Sequence, residues 1–300
     1  MNSVYWHFRL AEALSRWLPA AAAIALAERL AETRYAQAAG HRATVQANLR
    51  LAGLQPAAAR EVFRNFGRYL VELFRIRTLA REAFTVEGAE HLAEAHSRGR
   101  GVIALTAHVG HWELGAAAIR ALGLPIAAVA LPHQDAGVNR LFDAQRRRWG
   151  VDVIPLDTHA TARCLEQLRR GGAVGLLGDI AFGGHPAPAR MFGQPVLLPR
   201  GPAVLAARAK APILPVILLR ERPFRFRLVI EPPLLPERPN QHGITALAEA
   251  CAAAMERMIR RAPEQWLLMQ PLQPASQAVR MADASAGVTH VGRVAAATAS

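Results

Sequence analysis

The sequence predicts an α/β fold: a mostly parallel central sheet covered by helices and preceded by an N-terminal helical, membrane-facing segment. Three observations predict it. Residues 1–82 carry helical periodicity with no strand-like alternation; beyond them short apolar runs take turns with helical patterns; and one stretch, 224–231, alternates like a half-exposed strand. With 300 residues, 52% of them hydrophobic, the chain can bury a substantial core. Residues 1–273 are assigned to one domain, with 1–82 as a helical lead-in and 83–273 as the α/β core. Residues 274–300 are assigned to a disordered tail, because Ala, Ser, Gly and Thr dominate there and offer little to a core.

In the lead-in, Pro19 and Pro56 punctuate the helices, and Val62, Phe66, Leu70 and Phe74 fall four apart on one helical face. Nearer the start, Trp6, Leu10, Leu14, Trp17 and Leu18 form an apolar stripe, with Arg9, Glu12 and Arg16 mostly elsewhere on the wheel. Either a membrane surface or the protein's own core can cover such a stripe. The longest uncharged run, 17–27 ("WLPAAAAIALA"), falls short of the roughly 20 residues a spanning helix needs. It runs on into charged helical pattern, which does not fit a signal peptide.

The strands of the core are predicted at 101–106 ("GVIALT"), 125–131, 151–155, 173–178 and 213–219. Helices are predicted between them at 113–122, 136–149, 159–170 and 201–209, which is the rhythm of a parallel sheet covered by helices. The alternating 224–231 reads as an antiparallel addition at the sheet's edge, and a last helix spans about 243–261.

A formal net charge of +13 comes almost wholly from arginine, since Lys210 is the sole lysine. Arginine's planar fork suits phosphates and carboxylates, so the compatible partners are an anionic membrane surface, an acidic carrier protein, a phosphorylated substrate or nucleic acid; biased composition explains the excess equally simply. Nucleic acid is disfavoured, because only 6% of residues are aromatic and no base-reading module is recognisable. Cys164 and Cys251 have neither CxxC spacing nor a histidine partner, so neither a disulfide framework nor a zinc knuckle is indicated.

Chemistry concentrates in "TAHVGHWELG", 106–115. A buried strand ends near Thr106, Gly110 permits a tight turn, and a helix starts at Trp112 or Glu113, so His108 stands at the carboxyl end of a strand, where open α/β sheets present ligand sites. On one continuous helix His108 and Glu113 would point about 140° apart. With a turn between them, Glu113 can accept the His108 ring N–H and leave the other nitrogen a free base. There is no G-x-S-x-G and no other nucleophile, so such a base would activate a hydroxyl on a bound substrate. The plain alternatives are a core histidine and a helix-start carboxylate. A metal site of His108, His111 and Glu113, with Asp179 or His185 added, lacks a spacing of known mechanical rationale.

The stretch "GVIALTAHVGHWELGAAAIRALG" resembles the His-x4-Asp/Glu signature of the lysophospholipid acyltransferase superfamily, specifically its bacterial branch of late lipid A and phosphatidylinositol mannoside acyltransferases. Further matches follow in order: "NRLFDAQRRRWG", "GGAVGLLGD" at 171–179, "MFGQPVLLPRGPAVLAARAKAPILPVIL" at 191–218 and "PEQW" at 263–266. The chain departs at His111, where asparagine is common, and after "PEQW", where "LLMQP" stands closer to the mannoside branch than the basic run usual for lipid A enzymes. The resemblance implies transfer of a fatty acyl chain from a thioester donor, acyl carrier protein or coenzyme A, to a hydroxyl of a membrane glycolipid or lysophospholipid. It implies no cofactor, His108 as general base, and Glu113 as its orienting partner. Arg146 and Arg148 are candidates for an acceptor or pantetheine phosphate, or else a solvated helix face. Arg200 and Gly201 could hold a phosphate at a helix start, and Asp179 could support the site or cap a helix. The setting implied is the cytoplasmic face of the bacterial inner membrane, peripheral or monotopic. The competing classes are a metal-dependent hydrolase and a non-enzymatic membrane-surface protein.

Overall fold

The computed structural model describes residues 3–181, 186–236 and 240–272, so the tail expected at 274–300 lies outside the described residues. The lead-in is four helices, α1 (Ser3–Trp17), α2 (Ala20–Gln37), α3 (Ala39–Leu51) and α4 (Ala59–Arg75). Pro19 stands at the N-cap of α2, where its missing N–H costs nothing, and Pro56 opens the single turn, Pro56–Ala58, that precedes α4. α4 buries Val62, Phe63, Tyr69, Leu73 and Phe74. Its Glu72 meets Arg220 with both carboxylate oxygens, Nη2 at 2.6 Å from Oε2 and Nε at 2.8 Å from Oε1, and both side chains are buried. One apolar core runs from the lead-in, through Val45, Leu49 and Phe74, into the sheet and on to Leu272.

Beyond the lead-in the elements are β1 (Phe84–Glu87), α5 (Ala89–Ser97), β2 (Val102–Thr106), α6 (Trp112–Ala121), β3 (Ile126–Ala130), α7 (Ala136–Arg148), β4 (Asp152–Pro155), α8 (Ala160–Arg169) and β5 (Ala173–Leu177). There follow a hairpin of β6 (Pro186–Met191) and β7 (Gln194–Pro199), then α9 (Gly201–Ala209), β8 (Ile213–Arg222), β9 (Arg225–Ile230), α10 (Gln241–Arg261) and a single turn at Pro263–Gln265. The main sheet has the order β1-β9-β8-β2-β5-β3-β4. β8, β2, β5, β3 and β4 are mutually parallel, β9 runs antiparallel to β8, and β1 pairs parallel with β9. The five strands predicted from apolar runs all form. The central pair, β2 and β8, gains about 1.5–3 kcal/mol for each large apolar side chain removed from water, as at Ile103, Leu105, Ile213 and Leu214.

The expectation for 224–231 needs a correction. The strand is antiparallel as expected, but it does not form the edge: β1 covers it, and Phe226, Leu228, Val229 and Ile230 are buried. The reason is that β1, "FTVE", is too short to signal itself, and it obtains its hydrogen-bond partners from β9.

On α1 the protein's own core covers only part of the helix. Tyr5, Phe8 and Ala11 pack against the core. Trp6, Leu10 and Trp17 do not: they are 54%, 59% and 87% exposed, while Leu14 and Leu18 are half-buried. No helix among the described residues is long and apolar enough to cross a membrane.

Candidate active site

β2 ends at Thr106, and the five residues before α6 form a loop held from both sides. Gly110 adopts φ +65°, and a Cβ there would lie 2.2 Å from the Leu218 carbonyl oxygen, so only glycine fits. The His111 N–H donates to that same carbonyl at 2.8 Å. On the other side, the Gly110 N–H donates to Gln265 O at 3.0 Å and the Leu267 N–H to His108 O at 2.7 Å, with Val109 bridged to Trp266. Gln265 is fixed in turn by its side chain, which accepts from the Arg220 N–H and donates to the Arg220 carbonyl.

β2 and β5 are adjacent and parallel, with Thr106 paired to Leu177. His108 and Asp179 each lie two residues past that pair, so the sheet register brings them side by side although they are 71 apart in sequence. Asp179 is fully buried and takes three donors: His108 Nδ1 at 2.8 Å on Oδ1, the His108 backbone N–H at 2.9 Å on Oδ2, and the Trp266 indole N–H at 3.1 Å on Oδ2. Burial alone would push the Asp179 carboxyl up, but the His108 charge and these hydrogen bonds hold it below the usual carboxylate range. Burial likewise opposes a charge on His108, yet the charge and hydrogen bond of Asp179, assisted by Glu113, raise its pKa above the ordinary 6.5. With Nδ1–H on Asp179, Nε2 is the basic nitrogen; it bonds to none of the described residues, and the side chain keeps 17% of its exposure. The Trp112 ring stands 5.2 Å from the imidazole, edge-on, and stacks on Tyr69.

This corrects the geometry expected of Glu113. Its carboxylate does not meet the His108 ring; it forms a buried two-point pair with Arg146, Nε on Oε2 at 2.8 Å and Nη2 on Oε1 at 2.5 Å. Placed at the start of α6, Glu113 is drawn to the permanent cation that α7 presents, and the histidine already has Asp179. Arg146 is corrected by the same pair. Its remaining Nη1 rests on Asp143 at 3.0 Å, so its fork is occupied by carboxylates, and the Glu113 charge raises its pKa despite burial. Glu113 therefore reaches His108 as a nearby negative charge only.

Arg148 makes no contact with the His108–Asp179 pair: it lines a cleft between α1 and α7, with Nη1 on Gln145. Arg200 precedes Gly201 at the start of α9, and its Nη2 bonds Gln241, at the start of α10, rather than any of the four groups above. Asp179 caps no helix; it serves the histidine. His111 is fully buried, its Nδ1 accepts from the Leu114 N–H at 3.3 Å as the N-cap of α6, and its ring lies 4.4 Å from that of Tyr69. Burial holds it neutral, well below the ordinary pKa. His108, His111 and Glu113 thus diverge, each on different partners, and among the described residues no three His, Cys, Asp or Glu are placed to hold a metal. His185 lies outside the described residues. Both thiols are buried, which pushes Cys164 up to about 11 and Cys251 up to about 12 and removes them as nucleophiles.

Residues 3–273 match the family of bacterial lipid A biosynthesis acyltransferases. The chain belongs to that family. It is accordingly an O-acyltransferase, and the family supports acyl transfer to a glycolipid. Among its relatives, the phosphatidylinositol mannoside acyltransferase of Mycobacterium tuberculosis (strain CDC 1551 / Oshkosh) is 27% identical over 238 residues, 74% of this chain and 73% of that one. The enzyme of the same description from Mycolicibacterium smegmatis is 27% identical over 256 residues, 80% and 82% of the two chains. The lipid A biosynthesis palmitoleoyltransferase of Escherichia coli K12 is 29% identical over 220 residues, 69% and 68%. In this acyltransferase, sequence reasoning missed Trp266, Trp112 and Tyr69 at the site; the one signal for Trp266 was "PEQW", which carries the family resemblance but indicates no role by itself.

Proposed function

We propose that the protein transfers a fatty acyl chain from a thioester, acyl carrier protein or coenzyme A, to a sugar hydroxyl of a membrane glycolipid. The observation that carries this reading is the His108–Asp179 pair, with Nε2 left free at the carboxyl end of β2 in an enzyme of this family. Nε2 takes the acceptor hydroxyl's proton as its oxygen attacks the thioester carbonyl, and Asp179 stabilises the imidazolium; a base so placed is worth about 10² to 10⁴ in rate. The carbon–sulfur bond then breaks, and His108 returns the proton to the departing thiolate. Glu113 adds a negative charge that favours the imidazolium, while Arg146 fixes Glu113. The N–H groups of Trp112 and Glu113, at the positive start of α6, have no acceptor among the described residues and are our choice for the oxyanion. The thioester is already activated, so the reaction needs no cofactor.

The exposed Trp6, Leu10 and Trp17 support peripheral docking of α1 in the membrane interface on the cytoplasmic side, where an acceptor reaches the site without leaving the bilayer. The names of the relatives favour a phosphatidylinositol mannoside or an intermediate of lipid A biosynthesis as the acceptor. The test is to incubate wild type and His108→Ala with labelled acyl thioesters and a membrane-lipid extract, with and without EDTA, and to follow label into lipid by mass spectrometry. Wild type should acylate a lipid hydroxyl regardless of EDTA, and His108→Ala should lose the activity by at least about 10²-fold. Label that stays in free fatty acid, or that EDTA abolishes, would refute the reading.

A further inference from the structure

α1 and α7 enclose a cleft that the acyl-transfer chemistry does not use. It is lined by Tyr5, Arg9, Glu12, Arg140, Leu141 and Arg148 and holds about 190 Å³. That is less than the roughly 300 Å³ at which whole-ligand pockets begin, so it suits one headgroup rather than an entire glycolipid. Gly137 allows the two helices to close this far, because a Cβ there would lie 2.7 Å from the Tyr5 ring.

The lining is short of negative charge. Glu12 is buried and already bonded to Arg9 and to Arg16, the latter at 2.8 Å. Arg140 is exposed and pairs with no carboxylate among the described residues, and Arg148 holds only the neutral Gln145. Arg16, beside the cleft, keeps a buried Nη2 with no partner. Burial and the charges of Arg148, Arg77 and Arg9, all close by, lower its pKa. Three arginines and one carboxylate therefore line the cleft, with Arg16 beside it; the nearby Asp135 already accepts from the Gly137 and Val138 N–H groups. On the same helix, Arg9 is one turn from the exposed Trp6 and adjacent to the exposed Leu10, so the cationic cleft borders the apolar stripe.

We propose that the α1–α7 cleft binds the phosphate of an anionic phospholipid headgroup while Trp6, Leu10 and Trp17 lie in the bilayer interface. The proposal rests on the docking of α1 described above. A lipid phosphate fits better than an acidic carrier protein, because a cleft of this size does not admit a helix about 10 Å across.

The test is co-sedimentation of the full chain with neutral phosphatidylcholine vesicles and with vesicles containing phosphatidylglycerol. Arg140→Gln and Arg9→Gln should each weaken binding to the anionic vesicles about fivefold, the equivalent of about 1 kcal/mol. Both should bind neutral vesicles as wild type does and keep acyl transfer to a detergent-dispersed acceptor. Wild-type binding of the variants to anionic vesicles would overturn the proposal. So would a phosphate site of another kind: inorganic phosphate raising the Tm of wild type and not of Arg140→Gln, with vesicle binding unchanged. Selective loss of binding to purified acyl carrier protein would assign the cleft to that partner and also overturn it. Trp6→Ser with Trp17→Ser tests the docking separately; if that variant binds neutral vesicles undiminished, the docking reading fails while the arginine result stands on its own.

Discussion

Replacing Asp179 by Asn keeps the side chain's shape at the end of β5 and removes the charge that His108 faces. The native carboxylate accepts from Nδ1–H, the His108 backbone and the Trp266 indole. An amide has one accepting oxygen, so its NH2 must oppose at least one of these donors, which turns the ring or moves its proton to Nε2. Either outcome removes the base, and the expected loss in kcat is about 10² to 10⁴, or roughly 3–5 kcal/mol of transition-state stabilisation. The pH dependence gives a second, independent readout. His108 works unprotonated, so activity rises with pH through its folded-state pKa, which lies above the ordinary 6.5. Without the Asp179 charge the burial penalty dominates, and the limb of the residual activity moves to lower pH. The stability signs agree: the raised His108 pKa stabilises the fold below its unfolded value and is lost as pH rises through the folded one. The lowered Asp179 pKa stabilises above the ordinary 3.8 and is lost as pH falls through the folded value. Glu113→Gln should behave differently. It leaves a buried Arg146 short of its counter-charge, at a cost of about 3–5 kcal/mol and about 10 °C in Tm, while shifting the His108 limb only slightly. Initial acyl-transfer rates across pH, with thermal unfolding of both variants, decide the matter. If Glu113→Gln moves the limb further than Asp179→Asn, and Asp179→Asn stays near wild-type rate, the working partner of His108 is Glu113 and the reasoning is wrong.

Three further outcomes follow from the same loop. His111→Asn should keep the α6 cap and full activity, whereas His111→Ala should lose about 1–2 kcal/mol, and EDTA should affect neither; because buried neutral His111 refuses a proton that the unfolded chain accepts, thermal melts should also show His111→Asn holding more of its stability than wild type below about pH 6.5. Gly110→Ala should cost about 3 kcal/mol or more, since a left-handed backbone and a contact at 2.2 Å are both violated; an unchanged denaturant midpoint would show that the loop yields freely. Trp266→Phe should remove about 1.5–3 kcal/mol of stability with the pH limb unmoved, because Asp179 stays charged; a limb displaced as in Asp179→Asn would mean the indole holds more than its own hydrogen bond.

Much of the fold was legible because β2 and most of β8 are buried on both faces, and these strands with β3 and β5 spell continuous apolar runs, while the edge strand β4 follows the same rhythm. β1 was not, since four residues with two apolar side chains form a strand only against β9. The β6–β7 hairpin was hidden by its prolines and by a turn at Phe192 and Gly193, both at positive φ, where a hairpin is more often marked by asparagine and glycine. At the site, His108 could be read because a strand's end and a glycine turn are local signals. Its partner could not. Spacing favours Glu113, five residues away, whereas the true contact depends on which strands are neighbours, and the adjacency of β2 and β5 is written in no short stretch. Arg146 failed for the same reason: a buried carboxylate on another helix claims the fork that sequence alone leaves free for a phosphate.

The clip that Gln265, Trp266 and Leu267 place on the His108–Gly110 loop also has a temporal meaning. During synthesis, a ribosome that has released the chain as far as α10 has delivered every strand described above, along with His108, Asp179 and the whole of α1. What it has not delivered is the indole that completes the Asp179 cradle and the two backbone bonds that fix the loop. The surroundings of His108 are therefore completed only by the last of the described residues to emerge. A fragment cut short of Pro263 would carry both His108 and Asp179, yet lack the indole on the carboxylate and the backbone bonds that hold the His108–Gly110 loop.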